Sequence, residues 1–120
     1  MRKLEIGTAT LNEMGANILS AWQTANAGNA VAPKEALYFD NMPQLLTALT
    51  PARWLLLEAL KSGGALSIYA LAKQIKRNYS NVHSDIGKLL VLGLVEKNSD
   101  GQVFVPWDEI RADFALKAAA

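Results

Sequence analysis

Short hydrogen-bonding side chains, with one aromatic ring, one imidazole and one cation, are concentrated between residues 79 and 88 of this 120-residue chain. Val82, Ile86 and Leu89 recur there at helical spacing, which predicts that they face inward on one helix. The outward side chains are then Tyr79, Ser80, Asn81, His83, Ser84 and Lys88. Groups of this kind bind base edges in the major groove, where an Asn amide can pair bidentately with adenine. The helix therefore predicts a surface that reads double-stranded DNA.

Cations surround this helix in the sequence. Residues 51–97 contain seven Lys and Arg against three Asp and Glu, although the whole chain has a net charge of only +1. A basic segment between more acidic ends indicates a polyanionic partner. Because phosphate contacts position a protein and base contacts specify the sequence, the two roles are assigned separately. We assign Lys73, Arg77, Lys88 and Lys97 to phosphates, and Asn81, His83 and Ser84 to bases. The predicted DNA-binding set also includes Ser67, Lys76, Tyr79, Ser80, Asn98 and Gln102.

Other chemistries find little support in the residue types. The chain has no Cys and a single His, which excludes a thiolate or multi-histidine metal site. Asp85 lies two residues from His83 and would not face it on a helix, so a Ser-His-Asp catalytic set is not expected. We predict instead that Asp85 pairs with the turn before the helix or with the hairpin after it. Gly63-Gly64 lacks the Lys-Ser/Thr of a phosphate-binding loop. Neither an enzyme nor a cofactor or metal is predicted.

Helix-start and helix-stop residues divide residues 50–105 into short elements. The predicted starts are Thr50 with Pro51, Ser67 and Asn78, and the stops are Ser62-Gly63-Gly64, Lys76-Arg77-Asn78 and Gly93. Ala65-Leu66 can form a short strand, and Asp100-Gly101 between two apolar runs indicates a β-hairpin. This order predicts an α+β fold with a winged helix-turn-helix, whose third helix enters a major groove about 12 Å wide.

The ends of the chain predict an extension to this domain. Alternation over Lys3–Gly7 and the apolar run 36–39 favour strands, and a helix is expected over 42–49. Thr10-x-x-Glu13 opens another helix, which we expect to end near 26–28. Residues 108–120 alternate as a strand does, although their Ala-rich end also allows a helix. We therefore predict a dimerisation extension (1–49), a winged helix-turn-helix (50–107) and a tail (108–120) that could join the dimer interface.

Several segments resemble a family of small prokaryotic transcriptional regulators with a MarR-like winged helix. They are Gly64-Ala-Leu-Ser-Ile-Tyr-Ala-Leu-Ala-Lys, Asn78-Tyr-Ser-Asn-Val-His-Ser-Asp-Ile, Leu92-Gly-Leu-Val-Glu and Asp100-Gly-Gln-Val-Phe-Val-Pro-Trp-Asp-Glu-Ile. The resemblance is strongest over residues 50–110. It implies sequence-specific DNA binding by a dimer, and a role beside a toxin as an antitoxin. Ser80 and Ser84 stand where Lys and Arg are common in this family.

These observations lead to a primary and an alternative hypothesis. The primary one is a dimeric repressor that binds a palindromic operator. The alternative is a protein-interaction module, such as an antitoxin that holds a toxin; the basic turn favours DNA, and the serines at 80 and 84 leave the alternative open. A cytoplasmic location is expected, because Glu5 precedes any apolar run and no stretch of about 18 apolar residues could span a membrane.

Overall fold

The computed structural model describes residues 2–9, 35–114 and 116, and the chain has an α+β fold. In chain order the elements are β1 (Lys3–Thr8), β2 (Glu35–Phe39), α1 (Met42–Ala48), α2 (Pro51–Gly63), α3 (Ile68–Ile75), α4 (Tyr79–Leu92), β3 (Glu96–Lys97), β4 (Val103–Phe104) and β5 (Glu109–Ala112). Two compact units are present, one from residues 1–47 with 108–120 and the other from residues 48–107. No helix in the described ranges is long and apolar enough to cross a membrane. The helix expected to begin at Thr10 lies outside those ranges.

The first unit contains a three-stranded parallel sheet in the order β2-β1-β5. Leu4 and Ile6 of the central strand are buried, while Glu5 between them is exposed, as the alternation of β1 predicts. After β2, the Asn41 side chain accepts a hydrogen bond from the Gln44 amide (2.9 Å) and so begins α1. The strands and the short helix predicted for this part of the chain are therefore confirmed.

The tail contributes the third strand of this sheet. Of the two conformations left open for it, the strand is found at Glu109–Ala112, with Ile110 in register with Leu4. The adjacent acids Asp108-Glu109 favour a solvated turn, but Glu109 belongs to the strand, and its amide donates to the Arg2 carbonyl (3.4 Å) as the strand begins. The amide of Asp108 donates to the same carbonyl (2.8 Å), which fixes the start of β5 beside β1.

The second unit packs three helices around an aliphatic core. Thr50 accepts a hydrogen bond from the Arg53 amide (3.2 Å) and Pro51 occupies the first turn, so α2 starts where its sequence predicts. For α2, helical spacing predicts an inward face of Trp54, Leu57 and Leu60. Both leucines are buried, but Leu56 is also fully buried and Trp54 is only half-buried. The core of this unit consists of Leu49, Leu56, Leu57, Leu60, Leu71, Ala72, Val82, Ile86, Leu89, Leu94, Val95, Val103 and Trp107.

A short antiparallel hairpin completes the second unit. β3 and β4 are two residues each, shorter than the apolar runs that predict them. Gly101 has a φ of 77°, which favours glycine and closes the loop. The expected strand at Ala65-Leu66 is reduced to one bridge, in which the Leu66 amide donates to Val103 (3.0 Å) and the Val103 amide donates back (2.7 Å).

Candidate functional site

Two capped helices and a tight turn position the candidate site. The Ser67 hydroxyl accepts from the Ala70 amide (3.0 Å) and begins α3. The helix ends at Lys76, which adopts the left-handed conformation with a φ of 57°. The side chain of Asn78 then accepts from the Ser80 and Asn81 amides (2.9 and 3.3 Å) and begins α4. Only three residues therefore separate two helices that run in different directions.

The surface of α4 carries the polar side chains singled out from the sequence. Val82, Ile86 and Leu89 are completely buried, so the opposite side of the helix faces solvent. All six residues on that side are exposed, and we call them the polar ridge: Tyr79, Ser80, Asn81, His83, Ser84 and Lys88. The 14 residues of α4 give it a length of about 21 Å, and the ridge occupies its first three turns.

The aromatic members of the ridge contact each other. The rings of Tyr79 and His83 have their centroids 5.8 Å apart and are tilted by 38°. This is a contact between residues one helical turn apart, and it leaves 48% of Tyr79 exposed. The tyrosine ring therefore packs beside the imidazole of the ridge.

A half-buried charge network lies behind the ridge. Asp85 accepts hydrogen bonds from Arg77 Nη2 (2.9 Å) and Arg53 Nε (3.1 Å), and Arg53 Nη1 donates to the Ala48 carbonyl (2.9 Å). Their side chains are 18%, 31% and 17% exposed for Asp85, Arg77 and Arg53. The network joins the first turn of α2, the turn before α4 and the middle of α4. The prediction that Asp85 pairs with that turn is confirmed.

The charges of this network decide the protonation of Asp85. Burial by itself raises the pKa of Asp85, but the hydrogen bonds and positive charges of Arg77 and Arg53 together outweigh it. The pKa therefore lies below the ordinary value of a carboxyl group. Asp85 is thus ionised at neutral pH and gives one negative charge to two guanidinium groups.

Arg77 lies in a different environment from the lysines with which the sequence groups it. Its guanidinium is bonded to Asp85, and its Nη1 atom is buried without a hydrogen-bond partner among the described residues. A guanidinium oriented inward in this way orders the turn between α3 and α4. We therefore treat Arg77 as a residue that supports the ridge.

Unlike Arg77, the lysines of the predicted set lie at the surface. Lys73, Lys76, Lys88 and Lys97 are all exposed, and none forms an ion pair with another residue in the described ranges. Their ammonium groups are hydrated point charges on flexible stems, which suits contacts with phosphate oxygens. The unit therefore keeps four cations available at its surface while its two arginines are neutralised in part by Asp85.

Two of the predicted hairpin residues, Asn98 and Gln102, form hydrogen bonds that order the loop. The Asn98 side chain accepts from the amides of Asp100 (3.0 Å) and Gln102 (2.9 Å), and its Nδ2 donates to Gln102 Oε1 (3.3 Å). Both side chains are half-buried, so they order the loop first, whereas Lys97 beside them is exposed. Ser67 similarly uses its hydroxyl oxygen as the cap of α3.

Tyr69, an exposed residue of α3, is missing from the set predicted from the sequence. It is 68% exposed and lies one helical turn before Lys73, on the same side of α3. The signal was present, because helical spacing places Ile68, Leu71, Ala72 and Ile75 inward and so leaves Tyr69 outward. A phenol at a helix start can donate to a phosphate oxygen, so Tyr69 extends the polar surface along α3.

A metal site does not accompany this surface in the described part of the chain, where no three His, Asp or Glu side chains are grouped to hold an ion.

Comparison with known proteins gives a match to a protein family. Residues 48–112, more than half of the chain, match the model of a family designated HVO_A0114. No curated protein and no solved structure matches the chain. The matched segment contains α2, α3, α4, the hairpin and β5.

Proposed function

The chain belongs to the HVO_A0114 family, and we propose that it is a transcriptional regulator that binds double-stranded DNA in a sequence-specific way. The observation that carries this proposal is the polar ridge, whose six residues are all exposed on a helix held by caps, core and charge network. We further propose that α2, α3, α4 and the β3-β4 hairpin act as a winged helix-turn-helix. The order helix, bridge strand, helix, turn, helix, hairpin is the order that such a domain requires.

The composition of the ridge supports readout of bases. Ser80, Asn81 and Ser84 present short groups that can approach a base edge closely, with Asn81 suited to adenine. Lys88 follows Ser84 by one turn, where a helix leaving the groove meets the backbone. Recognition of bases by neutral groups needs separate cations for affinity, because phosphate neutralisation supplies much of the binding free energy.

The exposed lysines supply that neutralisation. Lys73 and Lys76 lie at the end of α3, and Lys97 lies beside the hairpin loop. Each phosphate contact releases counterions, so the affinity of this surface for DNA should fall steeply with salt. In this proposal the protein acts in the cytoplasm as a homodimeric repressor on a palindromic operator, because a two-fold dimer presents two copies of α4 to two half-sites.

Selection of binding sites from random DNA duplexes tests the proposal. We expect one enriched sequence with two inverted half-sites. On that sequence Asn81→Ala should weaken binding by ~1–3 kcal/mol and relax the base preference at one position of each half-site. Gln74→Ala is the matched control, since it removes an exposed amide of α3 that is outside the ridge. Absence of any enriched sequence, together with salt-independent or undetectable retardation of duplex DNA, would refute DNA binding and favour a module that binds only protein.

A further inference from the structure

Among the described residues, nothing pairs with the backbone at the outer edge of β5. β5 is an edge strand of the sheet β2-β1-β5, and in the described ranges no strand lies beyond it. The amides of Glu109 and Asp113 donate to β1, at Arg2 and Ile6 respectively. Because successive amides of a strand point to opposite edges, the amides and carbonyls of Ile110 and Ala112 point outward. Such an edge is a template for another strand.

The charges along this edge are self-complementary. Glu109 and Arg111 lie on one face of the sheet and Ile110 on the other. If a second copy of β5 pairs in an antiparallel way about Ile110, Glu109 lies opposite the partner's Arg111 and Arg111 lies opposite the partner's Glu109. Opposite charges in cross-strand pairs stabilise a sheet, whereas like charges destabilise it. In the same arrangement the two Ile110 residues face each other and exchange both outward hydrogen bonds.

Other registers are less favourable, either for their charges or for the length of the strand. Pairing about Arg111 would place the two Arg111 side chains opposite each other and Glu109 opposite Asp113. Pairing about Ala112 would place Arg111 opposite Asp113, but it would extend beyond the end of the strand. The other edge of the sheet, at β2, has only one charged residue, Glu35, which already pairs with Arg2 (3.4 Å). The charges therefore favour β5 over β2, and the charges together with the bounds of β5 favour pairing about Ile110.

Apolar surface next to β5 supports the same arrangement. Phe114 is 53% exposed and Leu116 is fully exposed, and both continue the even-numbered alternation that Ile110 begins. Exposed large apolar residues grouped at one edge mark a surface that another protein covers.

We propose that two copies of this chain pair through β5, antiparallel about Ile110, to form one continuous six-stranded sheet. The ion pairs that Glu109 makes within one chain, to Arg111 (3.2 Å) and Lys3 (3.6 Å), are between exposed groups and can exchange partners at little cost. This inference deepens the homodimer of the proposed function, but the interface does not depend on DNA.

Sedimentation equilibrium of the full chain, from low to high micromolar concentration, tests the interface. Arg111→Glu places two like-charge pairs across it and should weaken dimerisation about tenfold. The double variant Glu109→Arg with Arg111→Glu restores opposite charges and should regain the wild-type dimer. Glu58→Lys, a charge reversal at an exposed residue of α2, is the control and should leave the equilibrium unchanged. Thermal melting of each variant separates a loss of pairing from a loss of folding.

Cross-linking tests the register. The chain contains no Cys, so a single introduced thiol reports one position. Facing residues of a hydrogen-bonded antiparallel pair have Cα atoms about 5.5 Å apart, within the range of a disulfide. Oxidation should therefore link Ile110→Cys to itself and leave Ala112→Cys unlinked. A monomer at every concentration, or a dimer that is insensitive to Arg111→Glu and does not cross-link at residue 110, would overturn the proposal. DNA retardation by the same variants is scored separately, so failure of DNA binding would leave a confirmed interface standing.

Discussion

Replacement of Asp85 by Ala tests whether the charge network orders the helices that carry the ridge. The substitution removes two charge-assisted hydrogen bonds, at 2.9 and 3.1 Å, between groups that are 17–31% exposed. Fully buried bonds to charged groups contribute about 1.5–3 kcal/mol each, and exposed ion pairs about 0–1 kcal/mol. Because the groups are partly exposed, we take the contribution of each bond as about 1 kcal/mol, between these two ranges. Loss of both bonds should therefore lower the free energy of unfolding by about 2 kcal/mol.

Chemical and thermal unfolding measure this loss. Trp107 is buried in the same unit, so its fluorescence reports the unfolding of residues 48–107 in urea. For a unit of this size, a loss of about 2 kcal/mol corresponds to a fall in Tm of roughly 8–16 °C. Glu58→Gln is the control, because it also removes one negative charge from the unit but lies exposed on α2. We expect it to change stability by less than about 0.5 kcal/mol.

The dependence of stability on pH tests whether the ionised form of Asp85 stabilises the fold. Since the pKa of Asp85 is lower in the folded chain, its contribution is complete above the ordinary carboxyl pKa of about 4. The contribution is lost as the pH falls through the lower, folded value. The gap in stability between wild type and Asp85→Ala should therefore be constant from pH 5 to 7 and narrow below about pH 4. Equal stability at pH 7, or a gap that widens in acid, would refute this account of the network.

Four further substitutions test the surface and its support. Lys88→Ala should weaken binding to all duplexes alike and lower the slope of log affinity against log salt by about 1, so a sequence-selective loss in a binding assay would contradict its phosphate role. Trp107→Phe removes the Nε1 bond to the Gly93 carbonyl (3.1 Å) and should cost about 1 kcal/mol in urea unfolding; no loss would mean that the bond contributes nothing. Gly93→Ala should destabilise the fold by about 1 kcal/mol, because Gly93 has a φ of 79°. Gly87→Ala within α4 should instead stabilise the fold by about 0.5–1 kcal/mol. Changes in Tm of the same sign for the two variants in thermal melts would contradict this.

The helix boundaries of the second unit could be predicted because their causes are local. Thr50, Ser67 and Asn78 each bond an amide two or three residues ahead, and Gly93 ends its helix through its own backbone conformation. The exposed side of α4 follows from the same local information, since the 3.6-residue period assigns inward and outward positions. The placement of the polar ridge was accordingly predictable residue by residue.

Contacts between distant residues were not predictable in the same way. The pairing of β1 with both β2 and β5 joins segments about 30 and 106 residues apart, and alternation predicts a strand without naming its neighbours. Arg53 contacts Asp85 across 32 residues, whereas the sequence predicted a partner for Asp85 in the nearby turn or in the hairpin. Charge alone grouped Arg77 with the surface lysines, and its bond to Asp85 separates it from them.

The central claim, that the polar ridge of α4 contacts DNA, is tested most directly by amide NMR of the isotope-labelled chain during titration with a selected duplex. We predict the largest shift changes at residues 79–88, smaller ones near Lys73 and Lys97, and none beyond noise in β1, and we expect these changes to diminish as salt is raised. Shift changes confined to other surfaces, with residues 79–88 unaffected at saturating DNA, would contradict the account.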